Sequence, residues 1–75
     1  MKSNKFSDRI KTLRKEKAIT QEKLAEIIQV SQKTIAHLEN DYRKPSYELL
    51  IALADYFNVS LDYLTGRSDN LEINK

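Results

Sequence analysis

The stretch TQEKLAEIIQVSQKTIAHLEN, residues 20–40, decides the fold. It holds two short helical patterns, each opening at a hydroxyl residue, Thr20 and Ser31. In the first, Leu24, Ala25 and Ile28 fall on one helical face; in the second, Ile35 and Leu38 share a face at i, i+3 spacing. Only Gln29 and Val30 lie between Ile28 and Ser31 to reverse the chain. So tight a connection sets the two helices at a steep angle, and the small side chain of Ala25 lets the second helix approach closely. Val30, Ile35 and Leu38 are expected to fill that angle. The second helix keeps an outward face, which carries Gln32, Lys33 and His37, with Asn40 at its end. Residues 33, 37 and 40 share this side by the i, i+4, i+7 rule, opposite Ile35 and Leu38. Amide and cationic side chains of this kind can read base edges in the major groove of DNA. On spacing alone, an ordinary helical hairpin within a bundle is an open alternative.

Outward from this stretch the pattern stays helical. The 75 residues include one glycine and one proline, and strand-like alternation of useful length is absent. A first helix is expected over about residues 7–17, with Phe6, Ile10 and Leu13 as its apolar stripe and Lys15 and Lys17 near the negative end of its dipole. The two helices of the central stretch follow, over about 21–28 and from 32 to near 40. Pro45-Ser46, a stop followed by a cap, precedes a fourth, whose stripe is Leu49, Leu50, Leu53, Ala54 and Phe57. A fifth follows Val59-Ser60 and ends at Gly66, with Leu61 and Leu64 inward. Each capping hydroxyl can accept an otherwise orphan backbone N–H, worth about 1 kcal/mol. The fold class is therefore all-α, a five-helix single domain over residues 1–66. Residues 67–75 are polar and aperiodic, and this tail is expected to fray or to pack only on a partner.

Composition removes several function classes. There is no cysteine, so disulfide staples and thiolate metal sites are excluded and the chain suits a reducing cytosol. No apolar run approaches the roughly 18–20 residues that span a bilayer. The charged start, Met1 to Lys5, has no apolar segment behind it to act as a secretory signal. A cytoplasmic location is expected. His37 is the only histidine, so a metal site would lack partners for it. A glycine-rich phosphate loop is missing, and the chain is too short to enclose a substrate pocket. No enzyme activity, cofactor or small-molecule ligand is expected. The net charge of +2 says little, but its distribution says more: residues 1–44 hold 11 basic and 6 acidic side chains, and residues 45–75 hold 2 and 5. One half can face phosphates while the other faces away, although such charge runs also occur on plain solvated helix faces.

The chain resembles the phage-repressor/Cro-like (XRE) helix-turn-helix family. The resemblance is carried by Arg9-Ile10-Lys11-Thr12-Leu13-Arg14, Thr20-Gln21-Glu22-Lys23-Leu24-Ala25, Val30-Ser31, Thr34-Ile35, Leu38-Glu39-Asn40, Arg43-Lys44-Pro45-Ser46 and Val59-Ser60-Leu61-Asp62-Tyr63-Leu64. It implies a compact five-helix DNA-binding domain with the helix-turn-helix at helices 2 and 3, and helix 3 as the recognition helix. It further implies that Gln32, Lys33 and His37 meet base edges, with Thr34 adding a hydroxyl contact and Ala36 an apolar one. By the same resemblance Gln21 bonds a phosphate and braces Gln32, and Asn40, Arg43 and Lys44 bind the DNA backbone, with Tyr42 and Tyr47 as further phosphate contacts. Arg14 and Glu39 are implied to form a structural ion pair between helices 1 and 3. Gln29 and Asp41 stand where the family often has glycine, so each is expected to bear the cost of a turn that favours positive φ.

One helix-turn-helix offers roughly two or three base-reading side chains, each discriminating by ~1–3 kcal/mol. Specificity over bulk DNA needs ~4–10 kcal/mol. A homodimer on a palindromic operator is therefore expected, with half-sites about one helical turn (~34 Å) apart. Its interface is expected at helix 5 and the tail, around Tyr63, Leu64 and Leu71. The expected function is a sequence-specific transcriptional regulator of double-stranded DNA, a repressor. The competing reading is a helical protein-interaction module, antitoxin- or anti-regulator-like, on the same scaffold. Polar Gln32 and Lys33 on the outward face favour DNA over that reading.

Overall fold

A computed structural model describes residues 5–67. These residues form five helices: α1 (Phe6–Glu16), α2 (Gln21–Ile28), α3 (Gln32–Glu39), α4 (Tyr47–Phe57) and α5 (Leu61–Leu64). Four of them begin on a side-chain cap of the same geometry. Thr20, Ser31, Ser46 and Ser60 accept from the N–H three residues on, at 3.0, 3.1, 3.2 and 3.0 Å. Only α1, whose N-cap is Lys5, starts without a side-chain cap.

All five helices also end in the same way. A residue one or two positions past each helix turns left-handed, at Ala18, Gln29, Asp41, Asn58 and Gly66, with φ of 56°, 68°, 61°, 56° and 82°. Paired backbone bonds close each turn. After α2, Gln29 N–H donates to the Glu26 carbonyl at 3.3 Å and Val30 N–H to that of Ala25 at 2.9 Å. The same two-bond pattern links Ala18 and Ile19 to α1, Asp41 and Tyr42 to α3, Asn58 and Val59 to α4, and Gly66 and Arg67 to α5. This arrangement satisfies carbonyls that the helix end would otherwise orphan. After α1, α2 and α4 it is completed by an apolar residue just past the turn: Ile19 and Val30 pack on the core, and Val59 is buried within it.

The core comprises Ile10, Leu13, Leu24, Ala25, Ile35, Leu38, Leu49, Leu53, Ala54, Phe57, Val59 and Leu64. α1 packs on α3 and α5, α2 on α3 and α4, and α4 on α5. Ala25 is buried at the α2–α3 contact, with Ile35 and Leu38 fully enclosed. Phe6, Ile28, Val30 and Leu50 only border the core. Leu61 departs from the sequence expectation: α5 is a single turn, and its first residue is 37% exposed.

Two buried polar residues on α1 lie outside the sequence expectation. Ser7 is buried, and Arg9 is enclosed with its guanidinium 4.1 Å from the centre of the Tyr63 ring. Arg9 Nη1 also donates to the Tyr63 carbonyl at 2.7 Å, tying α1 to α5. Lys17 lies over the Tyr56 ring at 5.2 Å, a second cation–π contact that joins the end of α1 to α4. Among the described residues, no buried side-chain nitrogen or oxygen is left without a hydrogen-bond partner.

Candidate nucleic-acid interface

The surface built by α3 begins at Ser31. Its hydroxyl accepts from Thr34 N–H and pairs with the Thr34 hydroxyl at 2.9 Å. These bonds fix the first turn of α3, in which Gln32 and Lys33 are exposed and no acidic residue occurs. The positive end of the helix dipole therefore meets solvent with no carboxylate of its own turn against it. Lys33 and His37, one turn apart, stand on the exposed side, His37 half-buried, and exposed Asn40 caps the helix. Thr34 and Ala36 are half-buried at the flank. The Thr34 hydroxyl already serves the cap, so a contact from it would share that hydroxyl with Ser31.

Past α3 the chain turns left-handed at Asp41. Tyr42, Arg43, Lys44 and Tyr47 are all exposed, Tyr42 by 78% and Tyr47 by 70%. The Tyr42 ring folds back edge-on against His37, with centroids 5.9 Å apart. Three cations (Lys33, Arg43 and Lys44) and five amide or aromatic polar groups (Gln32, His37, Asn40, Tyr42 and Tyr47) are thus carried by α3, the loop that follows it and the first residue of α4.

Behind this surface lies a charged cluster joining three elements. Glu39, on the inward side of α3, has a side chain only 1% exposed. Arg14 of α1 donates to it twice, Nε to Oε2 at 2.6 Å and Nη2 to Oε1 at 3.1 Å. The forked geometry suits a guanidinium and a carboxylate. Arg14 Nη1 also donates to the Ile19 carbonyl at 2.8 Å, fixing the turn that leads into α2. Its hydrogen bond to Glu39 holds the guanidinium pKa above the ordinary arginine value, with desolvation opposing and Coulombic attraction adding. The exposed Lys23–Glu26 pair at 3.7 Å is of another kind; a solvated pair like this contributes little.

Gln21 corrects one sequence expectation. Its side-chain amide does not brace Gln32; Nε2 donates to Glu39 Oε1 at 3.1 Å. A buried carboxylate can only accept, so it selects the NH2 end of the amide and draws Gln21 toward the α1–α3 pair. The family resemblance implied a neighbour across the turn, but the deeper charge is the stronger acceptor. The expected interface residues are also revised. Leu64 is fully buried and offers no surface; Tyr63 is half-buried beneath Arg9; Leu71 lies outside the described residues. The exposed apolar surface of α5 is Leu61, beside a groove that Ile51, Ala54, Asp55 and Val59 also line.

Sequence reasoning missed Arg9 and the His37–Tyr42 contact. A signal for Arg9 was present, because it lies three residues after Phe6 and four before Leu13, on the stripe that α1 buries. The contact to His37 depends on the left-handed turn at Asp41 and had no comparable signal. Among the described residues, no group of three or more His, Cys, Asp or Glu side chains is placed to hold a metal ion, and no helix is long and apolar enough to cross a membrane.

The helix-turn-helix family model matches residues 10–64. The chain is similar to the HTH-type transcriptional regulator AnsR of Bacillus subtilis (strain 168), 40% identical over 60 residues, covering 80% of this chain and 52% of AnsR. It is similar to the HTH-type transcriptional regulator ImmR of the same organism, 34% identical over 61 residues, covering 81% of this chain and 48% of ImmR. It thus spans about half the length of these two relatives. Among solved structures, it resembles the P22 c2 repressor protein crystallised with synthetic operator 9T in the presence of Tl+, with a TM-score of 0.82 and 30% identity. That match covers 88% of this chain and 100% of the repressor chain.

Proposed function

Because this chain belongs to the phage-repressor-like (XRE-type) helix-turn-helix family, we propose that it is a sequence-specific regulator that binds double-stranded DNA, inserts α3 into the major groove and represses transcription by occupying an operator. The observation that carries this reading is the exposed first turn of α3, with Gln32 and Lys33 outward, no acidic residue in that turn, and Arg43 and Lys44 exposed in the following loop. Likeness to a repressor crystallised with its synthetic operator supports it.

In this function Gln32, Lys33 and His37 read base edges, with Thr34 at the flank. Asn40, Tyr42, Arg43, Lys44 and Tyr47 contact the sugar–phosphate backbone on one side. On the other side stands Gln21, whose amide retains one N–H for a phosphate while the other serves Glu39. The first N–H groups of α2 and α3 reinforce these contacts. Phosphate contacts set the register, and the base contacts specify. Arg14 and Glu39 hold α3 in place and touch no DNA. The protein works in the cytoplasm without a cofactor and catalyses no reaction.

Too few base-reading groups project from one α3 to select an operator among bulk DNA, so the active form is a homodimer on a palindromic site. Its contact lies on the exposed side of α5, around Leu61, away from the basic surface. Selection from randomised duplexes, followed by salt titration of the winner, tests the function. The expected result is a palindromic consensus, bound with affinity that falls by about 0.9 log units per log unit of salt for each phosphate neutralised. Recovery of no consensus, together with weak binding even at low salt, would favour a module that binds protein through the same scaffold. Sedimentation of the chain on a palindromic duplex tests the dimer, and a single copy per duplex would rule it out.

A further inference from the structure

We propose that Tyr42 determines sequence specificity by acting as a positioning residue for His37; this rests on α3 being the DNA-reading helix. The left-handed turn at Asp41 reverses the chain at the end of α3, and the Tyr42 N–H donates to the His37 carbonyl at 2.9 Å. The reversal returns the phenol to the last turn of α3. There its ring meets the imidazole with centroids 5.9 Å apart and planes inclined by 61°, within the range that favours edge-to-face pairs.

Tyr42 is 78% exposed, so burial in the core does not explain where its ring sits. The ring contact to His37 and the backbone bond beneath it do. An imidazole on an exposed helix side can swing among rotamers, and a side chain that reads a base edge must give up that freedom on binding. The Tyr42 ring removes part of the freedom beforehand. His37 then approaches the bases in one orientation, and a wrong base meets a donor or acceptor that cannot turn away. The ring does this work, so the phenolic hydroxyl, which meets a phosphate in the proposed complex, is dispensable for the sequence preference. The phosphate contact of that hydroxyl strengthens binding to all sequences alike and leaves the preference unchanged.

The experiment compares the full chain with its His37→Ala, Tyr42→Phe, Tyr42→Ala and His37→Ala/Tyr42→Ala variants. Each is selected on randomised duplexes, and affinities for single-base variants of the winning site are then measured by competition. His37→Ala should flatten the preference at particular positions of the half-site. Tyr42→Ala should flatten the same positions by about three- to tenfold, the range an edge-to-face pair supplies. Tyr42→Phe should retain the preference, and the double variant should be no flatter than His37→Ala. Without DNA, the His37 ring protons should carry a ring-current shift in wild type and Tyr42→Phe that disappears in Tyr42→Ala. The proposal is overturned if Tyr42→Ala weakens all sequences equally, if the two alanine effects on preference add, if Tyr42→Phe flattens the preference as Tyr42→Ala does, or if His37→Ala leaves every preference intact. A wild-type chain that selects no sequence defeats the regulator reading itself. One that selects a site which Tyr42→Ala selects identically defeats only the role of Tyr42.

Discussion

Ala18→Gly is expected to stabilise the protein. Ala18 closes α1 at φ 56°, where its Cβ crowds the backbone. A left-handed conformation costs an L-residue about 1–2 kcal/mol, and glycine avoids that cost. Glycine also gives the unfolded chain more freedom, which offsets about 0.4–1 kcal/mol. Ala18 is exposed and its side chain is one methyl group, so its removal leaves no cavity. The balance is a gain of roughly 0.5–1 kcal/mol, or about 2–8 °C in melting temperature for a domain of this size. The same chemical change at Ala52, inside α4, should lose about 1 kcal/mol, because helical φ gives glycine no relief there. Gln29→Gly should gain much as Ala18→Gly does. Asp41→Gly and Asn58→Gly should gain less, because short polar side chains tolerate the left-handed region better. Urea and thermal melts of the series read these differences directly. An Ala18→Gly protein that melts at or below wild type, with the Ala52→Gly loss intact, would refute the assignment of strain to these helix ends.

Arg14→Ala leaves the Glu39 carboxylate buried without its guanidinium and should cost up to about 3–5 kcal/mol in a urea melt. Because the Arg14 pKa is raised, its stabilisation is fully present below the ordinary arginine range and is lost only as pH rises beyond the folded value. The difference between wild type and Arg14→Ala should therefore show no loss on the Arg14 side between about pH 6 and 9; a steady decline across that interval would contradict the cluster described. Arg43→Ala and Lys44→Ala should each reduce the salt slope of DNA binding by about 0.9 while leaving the consensus sequence unchanged. Ser46→Ala removes a cap and should cost about 1 kcal/mol in stability, with no change in salt slope; a change in slope would mean that Ser46 meets DNA.

The helix-turn-helix was legible because local rules agree there. Thr20 and Ser31 cap, Leu24, Ala25, Ile35 and Leu38 repeat at helical spacing, the two-residue gap demands a steep crossing, and the family resemblance chose between this unit and an ordinary hairpin. The exposed polar side of α3 followed from the same spacing. Other features depend on pairings between distant residues. The sequence does not reveal that Arg9 finds the Tyr63 carbonyl 54 residues away, nor that Gln21 prefers Glu39 to Gln32. Leu61 read as inward because it begins an apolar i, i+3 pair, but a single-turn helix buries only Leu64 of the two. The turn at Ala18 gave no signal because alanine favours helix interiors; the surrounding packing imposes its backbone angle.

The Glu39 cluster bears on how the protein would meet its target. The carboxylate anchors α3 to α1 through Arg14 and to the start of α2 through Gln21, so α3 cannot tilt without breaking a buried contact. Its backbone amides should exchange with deuterium only when the whole domain opens. The backbone entropy of α3 is thus lost during folding, before any encounter, and only the exposed side chains remain to be ordered. Docking becomes a rigid-body search, and discrimination between sites should reside mainly in residence time, with arrival rates nearly the same for right and wrong sequences.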